Sequence, residues 1–214
     1  MGFSSPAVAD VFADYERRAE AEWARGTALG PQMFAHRDEF LLPVGAEAGW
    51  FLHSLILAKR PARILELGTS YGYSTLLLAD AAKQVGATLI TMELADYKQA
   101  EARAQIARAG LSDVVDFRLG DAVAMIEADP GPFDFVLLDI WKELYVPCLQ
   151  AFHPKLAYEA IVAADNMVEP EGARPDVRKY RVALRALPDM QTTLLPIGSG
   201  IELSVRWPAG SPKL

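Results

Sequence analysis

The sequence of 214 residues has a single cysteine, Cys148, so no disulfide can form within the chain. No apolar run approaches the ~18 residues that a membrane-spanning helix needs, and the first residues lack the basic and apolar stretches of a secretory signal. The 21 Lys and Arg residues are outnumbered by 28 Asp and Glu residues, which gives a net charge of −7. This balance argues against a protein that holds nucleic acid through a broad basic surface. These absences lead us to expect a cytoplasmic protein without a membrane partner.

The composition is typical of a folded domain, because 51% of the residues are hydrophobic and 23% are charged. We expect residues 1–214 to form one domain, in which helices within 1–60 cover the functional site and 61–214 form an α/β core. Apolar residues at three- and four-residue spacing predict an amphipathic helix over 6–25, and a second helix is predicted over Val44–Lys59. The apolar face of the first helix consists of Val8, Phe12, Tyr15, Ala19 and Trp23.

From Arg63 onward, short apolar runs alternate with helix-length segments. The strand-like runs are Arg63–Leu67, Ala87–Met92, Val114–Leu119, Phe133–Leu138 and Glu159–Ala164. The helical segments are Ser74–Val85, Asp96–Ala109 (with Asp96 as N-cap and Gly110 as terminator), Ala122–Ala128 and Leu144–Leu156. Two further runs, Met190–Pro196 and Ile201–Trp207, are so close that they can only pair antiparallel. The pattern predicts an α/β fold with a doubly wound, mostly parallel seven-stranded sheet that ends in an antiparallel hairpin.

The first predicted strand leads into a turn that contains Gly68 and Gly72. In open parallel sheets, ligands bind beyond the carboxyl ends of the strands, where glycines let a ligand approach the backbone and the next helix offers free N–H groups. The same glycines could serve packing alone. Glu93 ends the second strand at the spacing of an acid that accepts both ribose hydroxyls, although a solvated carboxylate is the alternative. Asp121, after the third strand, could cap the following helix, accept from an adenine amino group, or do both.

The fourth and fifth predicted strands end in Asp139 and in Asp165-Asn166. If these strands are neighbours, two carboxylates and one amide oxygen converge. Such a hard, incomplete set of oxygen ligands suits Mg²⁺, whereas helix caps and a turn are the structural alternative. Lys142 lies three residues past Asp139, where it could act as a general base or be an ordinary surface lysine. Trp141 could form the wall of an aromatic pocket or belong to the core.

Together these residues resemble the class I S-adenosylmethionine-dependent methyltransferases, and most closely the metal-dependent catechol O-methyltransferases. The stretch Leu65–Gly68 through Gly72–Ser74 resembles the first motif of that class, and Val44–Gly49 is similar to its cofactor-covering segment. The more specific matches are Asp139–Lys142 with Tyr145, and Ala164–Asn166 with Glu169-Pro170. Two departures stand out. Ile140 replaces a frequent histidine, and the glutamate that grips the second acceptor hydroxyl has only Glu202 as a nearby counterpart.

The resemblance implies S-adenosylmethionine and Mg²⁺, or another divalent cation, as cofactors. It implies that the methyl donor contacts Val44, Glu66, Gly68, Gly72, Ser74, Glu93, Leu94, Asp121, Ala122 and Asp139. It also implies metal ligands Asp139, Asp165 and Asn166, catalytic roles for Lys142 and Asp139, and acceptor contacts from Trp141, Lys142 and Asn166.

The reaction implied is methylation of one hydroxyl of a small vicinal-diol or catechol-type aromatic acceptor. The alternatives are a tRNA hydroxyuridine O-methyltransferase, an NAD(P)-dependent oxidoreductase and a non-catalytic cofactor-binding module. The acidic composition makes a nucleic-acid partner the weaker expectation. Residues 6–25 could pack on the sheet or on a second copy, which would give a homodimer.

Overall fold

The computed structural model describes residues 2–207, whose core is one seven-stranded sheet with strand order β3-β2-β1-β4-β5-β7-β6. Strands β1 to β5 pair in parallel, β7 pairs antiparallel with β5, and β6 pairs antiparallel with β7. The strands are β1 Arg63–Leu67, β2 Thr88–Glu93, β3 Val115–Leu119, β4 Phe133–Leu138, β5 Leu156–Ala164, β6 Met190–Leu195 and β7 Ile201–Arg206. The predicted fold class is therefore confirmed, including the terminal hairpin.

Helices cover both faces of the sheet. They are α1 Pro6–Leu29, α2 Ala46–Lys59, α3 Tyr73–Val85, α4 Asp96–Arg108, α5 Ala122–Ala128, α6 Tyr145–Phe152 and α7 Arg174–Arg185. Residues of α1, α2 and α3 pack in one apolar cluster, and residues of α5, α6 and α7 pack in a second. Ile64 to Leu67 of β1 are all buried because each face of that central strand meets one of these clusters. None of the helices within residues 2–207 has the length and apolarity needed to cross a membrane.

The first helix is longer than predicted, and it buries the predicted face except at Trp23. It runs to Leu29, its N-cap is Ser5, and a 3₁₀ segment over Gly30–Glu39 replaces the expected loop. Trp23, expected on the apolar face, is 76% exposed. Val8 and Tyr15 are buried as predicted, Phe12 and Ala19 pack against the same apolar cluster, and Val11 is buried in addition.

Other boundaries also differ from the sequence prediction. Asp96 is the first residue of α4 and not its N-cap, whereas Gly110 does follow the helix in a left-handed conformation. Strand β5 begins at Leu156, and α6 ends at Phe152, so the predicted helix over 144–156 is too long. Helix α7 lies outside the predicted elements.

Candidate active site

The turn after β1 is shaped by contacts that only glycine permits. Gly68 has φ 101°, and a Cβ built on it would lie 2.1 Å from the backbone oxygen of Asp139. Gly72 has φ 93°, and its Cβ would lie 2.9 Å from the Cβ of Ala102 in α4. The glycines thus have a packing role, and the same turn leads into the N-terminus of α3 at the carboxyl edge of the sheet.

Glu66 lies fully buried beneath this turn. Its carboxylate accepts hydrogen bonds from the hydroxyls of Ser74 (2.6 Å), Thr75 (2.7 Å) and Thr91 (2.7 Å). Burial raises the pKa of Glu66 to about 7, although these three donors oppose the shift. Glu66 therefore ties β1 to the start of α3 and to β2, and both of its oxygens are engaged by protein hydroxyls.

Glu93, at the end of β2, faces the same turn. One carboxylate oxygen accepts the backbone N–H of Ser70 at 2.8 Å, and the other accepts the N–H groups of Leu94 and Ala95 at 2.9 Å each. Leu94 is 75% exposed beside it. An acid and an exposed apolar side chain next to a glycine turn can receive a ribose and a base, respectively.

Asp121 is the N-cap of α5, since its side chain accepts the N–H of Ala124 at 2.8 Å. The predicted capping role is confirmed, and the adjacent Ala122 is buried. Contact with an adenine amino group stays a prediction for this turn.

Asp139 and Asp165 follow residues that are paired across two neighbouring strands. Leu138 of β4 is the partner of Ala164 of β5, and the backbone N–H of Asp165 donates to the carbonyl of Leu138 at 3.1 Å. The predicted adjacency of β4 and β5, which brings Asp139 and Asp165 to the same edge of the sheet, is confirmed. Asn166 follows with φ 60°, a left-handed conformation that non-glycine residues rarely adopt and that is often found at functional sites.

The pKa of Asp165 is shifted by its surroundings. Burial raises its pKa to about 7, and the negative charge of Asp139 adds to the shift. The buried Oδ1 atom of Asp165 has no hydrogen-bond partner. Within residues 2–207, no three His, Cys, Asp or Glu side chains converge on one point, so a metal would depend on two carboxylates and the Asn166 amide. A divalent cation fits here, because it would neutralise the carboxylates and give the orphaned oxygen a partner.

Lys142 is held beside the carboxylates. Its Nζ lies 3.2 Å from Asp139 Oδ1 and donates to the hydroxyl of Tyr145 at 2.8 Å and to the carbonyl of Ile140 at 3.0 Å. The Tyr145 hydroxyl in turn lies 3.0 Å from the carbonyl oxygen of Asp165. The predicted base, its tyrosine neighbour and both acids thus form one connected cluster, and Lys142 is not a free surface lysine.

Comparisons with known proteins identify the family of this chain. A family model described as a methyltransferase domain matches residues 65–167. A Mycobacterium tuberculosis protein named Probable O-methyltransferase is 35% identical over 163 residues, which is 71% of this chain and 67% of that protein. Catechol O-methyltransferase of Niastella koreensis is 31% identical over 167 residues, covering 72% of this chain and 75% of that protein. This chain belongs to the S-adenosylmethionine-dependent O-methyltransferases.

Solved structures share the fold of this methyltransferase. An O-methyltransferase from Bacillus cereus, solved in complex with SAH, superimposes with a TM-score of 0.74 at 24% identity, covering 95% of this chain and 91% of that one. The alignments span 67% of the Mycobacterium tuberculosis protein and 75% of the Niastella koreensis protein, and an alignment to Catechol O-methyltransferase B of Danio rerio spans 57% of that relative. Membership in this family argues against the NAD(P)-dependent oxidoreductase considered from the sequence.

Two contacts of the methyltransferase's N-terminal region have no signal in the sequence. The Tyr71 hydroxyl donates to the carbonyl of Asp38 at 2.7 Å, and the guanidinium of Arg37 lies 4.4 Å from the centre of the Trp141 ring. The segment between α1 and α2 is thereby attached to the glycine turn and reaches over the exposed Trp141. Val44, predicted to cover the cofactor, is buried at the end of this segment.

Glu202 has a different environment from the one that the resemblance suggests. It pairs with Ala164 across β5 and β7, and it is fully buried. Its Oε1 accepts a hydrogen bond from the hydroxyl of Thr192 at 2.9 Å, and its Oε2 lies 2.8 Å from Arg181 Nε, an ion pair that lacks hydrogen-bond geometry. Glu202 therefore holds α7 against the hairpin and is not a free carboxylate for an acceptor hydroxyl.

Proposed function

We propose that this methyltransferase methylates one hydroxyl of a small vicinal-diol or catechol-type aromatic acceptor, and that it requires Mg²⁺ or another divalent cation. The observation that carries the proposal is the buried, unpartnered Oδ1 of Asp165 beside Asp139. Asp139, Asp165 and Asn166 would hold the cation. When bound, the cation supplies acidification and orientation of an acceptor hydroxyl.

The methyl donor would be held at the carboxyl edge of β1 and β2. Glu93, beside the turn, would accept hydroxyls of its ribose, and the backbone of the Gly68–Gly72 turn would meet its amino-acid end. S-adenosylmethionine supplies a methyl group on a sulfonium, so the site must align an acceptor oxygen with that carbon. Rigid alignment of two reactants contributes ~7–11 kcal/mol to lowering a barrier.

Lys142 is the residue that would take the acceptor proton at Nζ. Asp139, the Ile140 carbonyl and the Tyr145 hydroxyl fix the position of that nitrogen from three directions. Trp141, with the guanidinium of Arg37 stacked over its ring, would pack against the acceptor ring and exclude water. Exclusion of water favours this reaction, because opposite charges on the acceptor oxygen and the sulfonium disappear as the bond forms.

The test is a methyl-transfer assay with a panel of catechols, with and without Mg²⁺, combined with calorimetric measurement of S-adenosylmethionine binding. We expect chelator to abolish turnover, Mg²⁺ to restore it, and cofactor affinity to change little. Full turnover in chelator would contradict the metal requirement. Transfer to a hydroxylated tRNA base but to no catechol would instead support the tRNA alternative.

A further inference from the structure

A cavity of about 320 Å³ lies between α7 and the segment that follows Asn166. Its apolar surface comes from Met167 and Val168 on that segment and from Val177 and Val182 on the helix. Pockets for small ligands begin at roughly this size and are mostly apolar with a few polar groups. The cavity, which we term the α7 groove, is separate from the glycine turn.

Four arginines line the α7 groove: Arg174, Arg178, Arg181 and Arg185. Their spacing of four, three and four residues places them on one face of the helix. They stand out in a chain whose net charge is −7. A concentrated positive charge beside an apolar floor is suited to a ligand with an anionic end and an apolar body.

The arginines are only partly neutralised. Arg174 pairs with the exposed Glu171 at 2.8 Å, whereas Arg181 and Arg185 share the buried Glu202 at 2.8 and 3.5 Å. Arg178 has no carboxylate within 4 Å in the part of the chain that the structure describes. The four guanidinium groups are thus paired with only two carboxylates, Glu171 and Glu202, so the groove carries a net positive charge.

The groove adjoins the proposed metal site along the chain. Met167 follows Asn166 directly, and two residues span at most about 7 Å, so Val168 is within that reach of Asn166. The N–H groups of Met167 and Val168 each donate at 2.9 Å to the carbonyls of Gly200 and Ser199, which fixes this wall of the groove.

Helix α7 also packs against the residue that holds Lys142. The Tyr145 ring, whose hydroxyl accepts from Lys142 Nζ, lies 5.3 Å from the Tyr180 ring on α7. Glu202, which positions Arg181, is opposite the residue that precedes Asp165. Both contacts tie the position of the arginine face to that of the catalytic cluster.

We propose that the α7 groove is a second acceptor subsite, which binds a carboxylate or phosphate group carried on a short apolar linker from the ring that is methylated. The inference rests on the proposed function and narrows its substrate class to anionic aromatic diols. Arg178 supplies the free charge, Arg174 and Arg185 contribute at the rim, and the valines and Met167 contact the linker. Planar guanidinium groups bind both carboxylates and phosphates through paired hydrogen bonds.

The kinetic test compares three acceptors that share one ring: 3-(3,4-dihydroxyphenyl)propanoate, its methyl ester and 2-(3,4-dihydroxyphenyl)ethyl phosphate. For Arg178→Gln we expect KM to rise about tenfold for the acceptors with a charged group, with kcat and the ester's KM unchanged. Preference for the acid or for the phosphate identifies which anion the groove takes. Arg17→Gln, at an exposed position on α1, is the matched control and should change none of these values.

A binding arm separates failure of this inference from failure of the proposed function. Calorimetry with 3-phenylpropanoate and 2-phenylethyl phosphate, which lack the diol, needs no turnover. Weaker binding to Arg178→Gln than to Arg17→Gln supports the subsite even if no catechol is methylated. Equal KM values for acid, phosphate and ester, or equal binding to both variants, would overturn it. Competition for the groove by tRNA at lower concentration than either anion would also overturn it, since the occupant would then be RNA.

Discussion

The Cα of Gly68 lies against the backbone oxygen of Asp139, so that a Cβ at position 68 would be 2.1 Å from this atom. The turn that would hold the methyl donor is therefore in direct contact with the strand end that would hold the metal. Because the obstructing atom belongs to the backbone, no side-chain rotation can relieve the collision. Main-chain packing thus fixes the position of the glycine turn relative to the proposed metal site.

We expect Gly68→Ala to lower the free energy of unfolding by several kcal/mol and to abolish cofactor binding. Gly86→Ala is the control, because Gly86 also has a positive φ (77°) but nothing lies within 4 Å of its Cβ. That variant should lose only the ~1–2 kcal/mol of left-handed strain. Chemical denaturation of both variants measures the difference, and equal losses would show that the Asp139 contact is unimportant.

Lys142→Ala should lower the rate of the chemical step by about 10²–10⁴-fold if the lysine takes the acceptor proton. Its amine is fixed by three acceptors at 2.8 to 3.2 Å, so Lys142→Arg keeps the charge but not a usable base. Single-turnover kinetics should show both variants to be slow with unchanged cofactor affinity. A loss of only a few-fold in Lys142→Ala would mean that this amine is not the base.

Glu93→Ala should weaken S-adenosylmethionine binding by about 1.5–3 kcal/mol, the range of hydrogen bonds to a charged group. The carboxylate at present accepts three backbone N–H groups, from Ser70, Leu94 and Ala95, so Glu93→Gln also tests how far these contacts shape the turn. Calorimetric titration of the methyl donor is the measurement. Unchanged affinity in both variants would place the ribose elsewhere.

Glu66 should make stability depend on pH. Its folded pKa of about 7 lies above the ordinary value of 4.5 because the carboxyl is fully buried, so the folded protein binds the proton more tightly. The free energy of unfolding should therefore be greatest below about pH 4.5 as far as this group is concerned. It should fall between pH 4.5 and 7, by on the order of 3 kcal/mol.

Glu66→Gln should remove this component, since the amide does not ionise. The variant should be more stable than the parent at pH 8 and lose the advantage at pH 5. Denaturant unfolding at both values checks the sign. A parent protein whose stability rises across this window, with Glu66→Gln unchanged in slope, would show that another group dominates.

The residues at the strand ends were predictable because each strand is marked by a local run of apolar residues. In a parallel sheet, the carboxyl ends of neighbouring strands lie together. This reasoning places Asp139 beside Asp165 without any knowledge of the turns between them. It does not reach the Arg37–Trp141 stack or the Tyr71–Asp38 hydrogen bond. Those contacts join segments far apart in sequence, and neither a repeat nor a strand end marks them.

Helix α7 was not predicted because its apolar pattern is weak. Only Val177, Tyr180 and Leu184 are buried, and charged side chains occupy most positions between them. A stripe of three apolar residues in a basic segment is a weak signal, yet the same basic face forms the α7 groove. The exposed Trp23 shows the converse, since an apolar residue at helical spacing is not buried where the helix extends beyond the core.

Asp165→Asn should raise the stability of the metal-free protein and lower its metal-dependent activity. Its carboxylate is buried next to Asp139, and one oxygen has no hydrogen-bond partner, so the charge costs stability without a bound cation. In chelator at pH 8, Asp165→Asn should therefore raise the melting temperature relative to the parent protein. Mg²⁺ should stabilise the parent by RT ln(1 + [Mg²⁺]/Kd) and the variant far less.

The same substitution should reduce metal-dependent turnover strongly, because a neutral amide is a weaker ligand for a hard cation. Asp176→Asn, at a partly exposed carboxylate paired with Lys179 on α7, is the control and should leave the Mg²⁺-dependent shift in melting temperature intact. Thermal unfolding across a Mg²⁺ titration measures the effect for all three proteins. If the parent and Asp165→Asn gain equal stability from Mg²⁺, the unpartnered oxygen does not face a cation, and the metal site must lie elsewhere.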